Sequence, residues 1–444
     1  MPLFYWLATW IGTPYQAYTQ DITFASHIAP IIFEHCTPCH RPDGYAPFPL
    51  TTYEEVSRRA GFIAHVTEIG YMPPWKANPG FRHFANERIL PPAQVEAITR
   101  WVAAGAPEGN RAATPPVPVF PAGSQLADQP DLVVSMREPF QIPGNNRQTY
   151  ICYKIPYEIE RDTFVRAIEF IPGNKQLVHH ASYQVLAVSP GADIYEGPDY
   201  FVYGDSQYVD DAHDYAYFGL VDDQGNLPVE TFHSGWLPGV SPQVFPEESG
   251  FYLPKRGVLI IRNLHYAPTP VDTTDQSRLH LYFNQGPVLR PVLFAAFAPR
   301  KTVTGDWIIP ADSVVHHHIN VKFKDEVSLL SINPHMHRLG TYIKAYLILP
   351  GQDTVPLVEV PRWDFDWQEF YAFDKLIHVP AGSVLRVEGT FDNTDRNYDN
   401  PNSPPQDVFF ERAMDDSDEM MRLVVQYLPY WPGDEQRSGS ALRR

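Results

Sequence analysis

The run "VSLLSINPHMH", residues 327–337, decides the fold. It is apolar for most of its length and closes on two histidines two residues apart, His335 and His337. Read as a strand, residues i and i+2 share a face, so both imidazoles can reach one metal. Comparable runs surround it. "YICYKIPY", "FVRAIEFIP", "YQVLAVS", "GVLIIRNLHYAP" and "RLHLYF" lie between 150 and 283, and "HHHINVKF", "YIKAYLIL", "SVLRVEGTFDN" and "MRLVVQYLP" between 316 and 429. Forty-five prolines punctuate short runs rich in Val, Ile, Tyr and Phe, the pattern of short strands and tight loops. The spacing predicts two antiparallel β-sandwiches, over residues 129–290 and 291–430.

The front of the chain reads differently. "DITFASHIAPIIFEHC" and "PPAQVEAITRWVAAGAP" have helical character; in the second, Val95, Ile98, Trp101 and Val102 follow helical spacing, with prolines at its start and Gly105 near its stop. A small all-α domain is expected over 22–111, then a stiff proline-rich linker over 112–128. Within the helical part, Cys36-Thr-Pro-Cys39-His40 is the C-x-x-C-H pattern of covalent haem attachment, with both thiols as thioethers and the histidine on iron. A zinc knuckle would need a second ligand pair at close spacing. Met72 in "GYMPPWKANP" is the expected sixth ligand of a haem c, with His65 or His83 as alternatives.

Net charge is −18, which repels phosphate backbones and anionic membrane surfaces and excludes nucleic acid as a partner class. With two cysteines committed to haem, Cys152 stands alone and disulfides are not the scaffold. Residues 1–21 read as a short signal-like segment, no other stretch reads as a transmembrane anchor, and residues 431–444 read as a disordered tail. A haem c motif implies a periplasmic or exported protein.

Further candidate ligands are His179 and His180 in "LVHHASY", His265 in "NLHYAP" and Met420 in "DSDEMMRLVV". Adjacent strand residues face opposite ways, so His179 and His180 can serve one metal only at a bulge or strand end. Three histidines suit a copper that shuttles between oxidation states, and two histidines with a thioether favour Cu(I). The tract His316–His318 places two rings on one face and is read as surface or structural, His233 as structural, and Trp363, Trp367 and Tyr371 as core or pocket aromatics.

The order "VHHAS", "GWLPGVSPQVFPEESGFYLPKRGVLIIRNLHYAP", "PHMHRLG", "DSDEMM" resembles the type II copper, ascorbate-dependent monooxygenases, the dopamine β-hydroxylase and peptidylglycine α-hydroxylating enzymes with their bacterial relatives, over roughly residues 130–430. The resemblance implies jelly-roll-like sandwiches with one copper each. His179, His180 and His265 would hold the electron-transfer copper, and His335, His337 and Met420 the copper that meets O2 and substrate. The front segment is similar to cytochrome c domains fused to bacterial members, so the haem would take electrons from an external donor and pass them to the first copper. The implied activity is hydroxylation of a C–H bond of a small organic substrate with O2. The alternatives are a non-enzymatic copper-binding, electron-transfer protein, and a haem peroxidase with an open iron position. Where peptide-amidating members carry an arginine and a tyrosine for the substrate carboxylate, this chain has Asn333 and Val424, and the family's disulfides are missing.

Overall fold

The computed structural model describes residues 22–121, 123–203, 211–299, 307–410 and 418–439. Up to residue 121 its regular elements are helical: a π-turn Phe24–Ile28, then Ala29–His35, Tyr53–Ser57, Ala60–Glu68 and Pro92–Ala103, followed by a 3-10 turn at Arg111–Ala113. Thr52 and Glu55 form a reciprocal capping box at the start of Tyr53–Ser57. Phe24, Ile32, Val56, Ile63, Ile98 and Trp101 close a small apolar core. The chain between Ala60–Glu68 and Pro92–Ala103 leaves these helices, and Trp75, Ala77 and Phe84 join the core of the second sandwich. Strands dominate the rest.

The first sandwich opposes a five-stranded sheet to a six-stranded one. The five-stranded sheet runs in the order Tyr200–Val202, Thr149–Glu158, Arg256–Tyr266, Val178–Ala187, Val229–Trp236. One face packs Ile151, Tyr153, Leu259 and Ile261 against Val165, Ile168, Leu279 and Leu281 of the other sheet. The opposite face carries Cys152, Leu186, Val258 and Ile260, covered by Ile194, Phe218 and Leu220. Burial on both faces explains why "YICYKIPY" and "GVLIIRNLHYAP" are near-continuous apolar runs. Cys152 is fully buried there.

The second sandwich pairs two four-stranded sheets. One runs Leu293–Phe297, Met421–Pro429, Val327–Met336, Tyr371–Val379; the other runs Ser313–Lys322, Val384–Asn393, Gly340–Ile348, Thr354–Val360. In Val327–Met336 the ladder to Met421–Pro429 skips Leu330, a bulge. Beyond it Ile332 and Met336 enter the core of their own sandwich. Ser331, Asn333, His335 and His337 take the opposite face, and Leu330 joins the core of the first sandwich. Gln426 ties the same face across, accepting from Gln243 (3.1 Å) and donating to the His233 carbonyl (2.8 Å).

The end of the chain corrects an expectation. Residues 431–439 are not a disordered tail: they turn through Asp434–Gln436, and the Asp434 side chain is fully buried. It accepts from Arg290 (2.6 Å), Ser328 (2.6 Å) and the Trp431 backbone (3.1 Å). The segment's polar composition suggested solvation, but a buried carboxylate with this many donors is an anchor. Residues 1–21 and 440–444 lie outside the described residues. Among the described residues no helix is long and apolar enough to cross a membrane.

Candidate metal centres

Nitrogen atoms of His179, His180 and His265 all lie within 4.8 Å of one another. Two irregularities bring them together. Arg256–Tyr266 and Val178–Ala187 pair Arg262 with Ser182 and then His265 with His180, so one extra residue bulges on the first strand. Asn263 sits there at φ 47°, in the left-handed region that asparagine tolerates. The next pair is Tyr266 with Val178, which skips His179. That second bulge lifts the objection to adjacent histidines on one strand, because His179 is out of register and swings toward His180. Their Nδ1 atoms are 3.4 Å apart.

The electrostatics suit a cation. Both ring nitrogens of His265 are buried without a hydrogen-bond partner among the described residues. A buried polar atom left this way is costly, and a metal removes the cost. Burial, then the neighbouring His179 and Arg338, pushes His265 down to about 3. Burial and the other two rings hold His180 well below its usual range, and burial lowers His179. All three imidazoles are thus neutral at neutral pH, the state in which an imidazole can bind a metal. The ring of Tyr150, directly opposite His265 in the ladder, stacks on it at 4.2 Å and 6°.

His335 and His337 form a second group, with ring centroids 5.2 Å apart. His335 Nδ1 donates to Gln368 Oε1 (2.7 Å), and His337 Nδ1 donates to the Asp418 carbonyl (2.9 Å). Each bond sets the tautomer with the lone pair on Nε2, the form a metal takes. Met420 is buried and immediately precedes Met421–Pro429, the strand that pairs His335 with Arg422. Glu419 joins the two motifs: its carboxylate accepts from the backbone N–H groups of His337, Leu339 (2.9 Å) and Met420 (2.8 Å). Burial pushes that carboxyl up to about 8 against the pull of these three donors.

The two groups face the same interface. His180 is near enough to His335 to help keep it neutral, and Arg338 acts on His265 in the same way. Asp364 and Asp366 act in the opposite sense on His179. Three residues of these centres carried no expectation: Tyr150, Gln368 and Glu419. Glu419 stands beside Met420 in the quoted motif, and Gln368 lies in the stretch read only for its aromatics.

At the front, Cys36 and Cys39 are free thiols around the turn that ends Ala29–His35. His40 Nδ1 donates to the Phe48 carbonyl (3.0 Å), which leaves Nε2 as the ligand atom. Two unpaired thiols and an imidazole fixed in this tautomer are the donor groups that the C-x-x-C-H pattern requires. Met72 is half-buried just beyond Ala60–Glu68, its N–H on the Val66 carbonyl (3.0 Å), while His65 and His83 are exposed. His316 and His318 are exposed, whereas His317 turns in and stacks on Trp307 at 4.3 Å. Tyr371 is core, and Trp363 Nε1 donates to the His337 carbonyl (3.2 Å). His233 is structural, its Nδ1 2.8 Å from Glu230 Oε1.

Residues 304–436 match the family model for the C-terminal domain of copper type II ascorbate-dependent monooxygenases. The match supports a copper-dependent, oxygen-using oxidoreductase of that family and spans the His335, His337 and Met420 group. No curated protein matches the chain. Among solved structures, PNGF-II superposes with TM-score 0.27 and 9% identity, covering 66% of this chain and 64% of that one, less than two thirds of its length. The VP2 subviral particle of infectious bursal disease virus superposes with TM-score 0.18 and 7% identity, covering 72% and 77%. Superpositions at this level assign neither fold nor function.

Proposed function

We propose that the protein is a copper monooxygenase that hydroxylates a C–H bond of a small organic substrate, with electrons entering through a haem c. The observation that carries this reading is the convergence of His179, His180 and His265, neutral and with His265 unpartnered, in a chain whose residues 304–436 match the monooxygenase domain. These three histidines hold one copper; His335, His337 and Met420 hold the other. Bound copper supplies the one-electron chemistry that lets O2 attack a C–H bond. The chain's own part is to present neutral imidazoles, to fix His335 and His337 through Gln368 and the Asp418 carbonyl, and to hold buried His180, His265 and His337 beside half-buried His179 and His335, which limits bulk water. Overall, substrate C–H, O2, two electrons and two protons give C–OH and water.

Cys36, Cys39 and His40 would hold the haem, with Met72 as a further candidate ligand, and the haem would take single electrons from an external protein or small molecule. Ile69 and Tyr71, beside Met72, are large side chains left exposed, a surface that a bound group or partner would cover. Haem attachment places the protein in the periplasm or outside the cell. A peptide carboxylate is not the substrate handle: Asn333 is buried and spends its amide on the Glu369 carbonyl (2.8 Å), and Val424 is buried.

Metal analysis of the haem-matured protein, with oxygen uptake followed under an electron donor, tests the reading. We expect two coppers per haem in the wild type and one in His179→Ala. Met420→Ala is expected to abolish product formation while haem reduction persists. One copper in the wild type, or oxygen uptake with no hydroxylated product, would leave a copper-binding relay instead, and no copper at all would overturn both readings.

A further inference from the structure

Ala85, Asn86 and Arg88 lie between the helices Ala60–Glu68 and Pro92–Ala103, yet they reach polar groups of the second sandwich. Ala85 N–H donates to the Ala372 carbonyl (2.8 Å), and Asn86 Oδ1 accepts from Ala372 N–H (3.0 Å). Asn86 Nδ2 donates to Glu369 Oε1 (3.0 Å) and to the Phe370 carbonyl (2.9 Å). Arg88 forms an ion pair with Glu369, which is 2% exposed. A carboxylate this deep stays in place only if it is paired. The preceding residue is Gln368, whose Oε1 receives His335 Nδ1–H (2.7 Å) and whose Nε2 donates to the Phe365 carbonyl (2.8 Å). A cavity of about 150 Å³ borders Arg88, Gln368 and Glu369 where the front segment and both sandwiches meet, so this turn has room to shift if its anchor is lost.

We infer that Asn86 and Arg88 are positioning residues for the second metal centre: they fix the Gln368–Glu369 turn, and through Gln368 they fix the ring and tautomer of His335. The segment that carries the haem motif is thereby part of the scaffold of the copper site on the far sandwich. This rests on the proposal that His335, His337 and Met420 bind copper.

The test is copper titration of the full, haem-matured chain, with the first centre disabled by His265→Phe so that one site is read. Arg88→Met is expected to weaken copper binding at the second centre about tenfold, the loss usual for a partner that orients a ligand. It should also alter the Cu(II) electron paramagnetic resonance signal. Adding Glu369→Gln to Arg88→Met should restore both, because no unpaired buried charge remains; a general packing defect would not be rescued. If Arg88→Met does not fold, Asn86→Ala is expected to weaken the second copper and alter its spectrum in the same direction, without rescue by Glu369→Gln, because Glu369 still has Arg88 as its partner. Unchanged affinity and spectrum in these variants, or weakening by Arg88→Met that Glu369→Gln does not rescue, overturns the inference. A parent protein that binds no copper at His335, His337 and Met420 fails the underlying proposal before any Arg88 variant is made, and the inference falls with it.

Discussion

His265→Phe is expected to abolish copper binding at the first centre and to lower hydroxylation by more than about 100-fold, beyond the loss usual for a residue that only orients a ligand. The substitution separates metal binding from folding. Phenylalanine keeps the ring that stacks on Tyr150 at 4.2 Å and removes two buried nitrogens that have no hydrogen-bond partner among the described residues. Replacing an unsatisfied polar group by an apolar one of similar shape is nearly neutral or stabilising. The copper-free variant should therefore unfold at the same denaturant concentration as the copper-free wild type, or slightly higher. Copper should raise the unfolding midpoint of the wild type by a larger increment than that of the variant, since only the wild type gains binding energy from both sites. Copper stoichiometry unchanged by His265→Phe would remove His265 from the ligand set. A large loss of apo stability would mean that His265 is a structural histidine.

How much of this was readable beforehand depends on the range of each interaction. The strand through "VSLLSINPHMH" and the shared face of His335 and His337 follow from period-two alternation, and the alternation holds beyond Leu330. The bulge at Leu330 is invisible in the same run, because a single extra residue in a uniformly apolar strand leaves no mark on its pattern. The trio of His179, His180 and His265 needed two such insertions, at His179 and near Asn263. Asn263 was the only local hint, as a residue suited to positive φ. The helix at Pro92–Ala103 announced itself through Pro91, Pro92 and Gly105. The excursion of Trp75 and Phe84 into the second sandwich did not, since its partners lie hundreds of residues away in sequence. Asp434 was misread for the same reason: its main partner is Arg290. Composition records that a segment is polar, and only the fold records whether its charges are paired.

Glu419→Ala is the substitution expected to cost the most stability for one side chain at either centre. Glu419 is fully buried, and its carboxylate gathers three backbone N–H groups from two separate pieces of chain. His337 and Leu339 belong to the exit of the histidine strand; Met420 begins the approach to Met421–Pro429. Truncation to alanine strands three donors where water does not reach, at about 1–3 kcal/mol each, less the cost of burying the carboxylate itself. A net loss of about 3 kcal/mol is expected in denaturant unfolding. Glu419→Gln should lose less, about 1–2 kcal/mol, because an amide oxygen can replace Oε1 for His337 and Met420 while its NH2 opposes the Leu339 N–H. Both variants loosen the His337 backbone relative to Met420, so copper at the second centre should weaken in the order wild type, glutamine, alanine, with the first centre's copper retained. If stability falls in that order while the second copper stays tight, Glu419 is a staple of the fold alone. If Met420 and His337 bind one ion, the carboxylate that holds their backbones together must show in that ion's affinity.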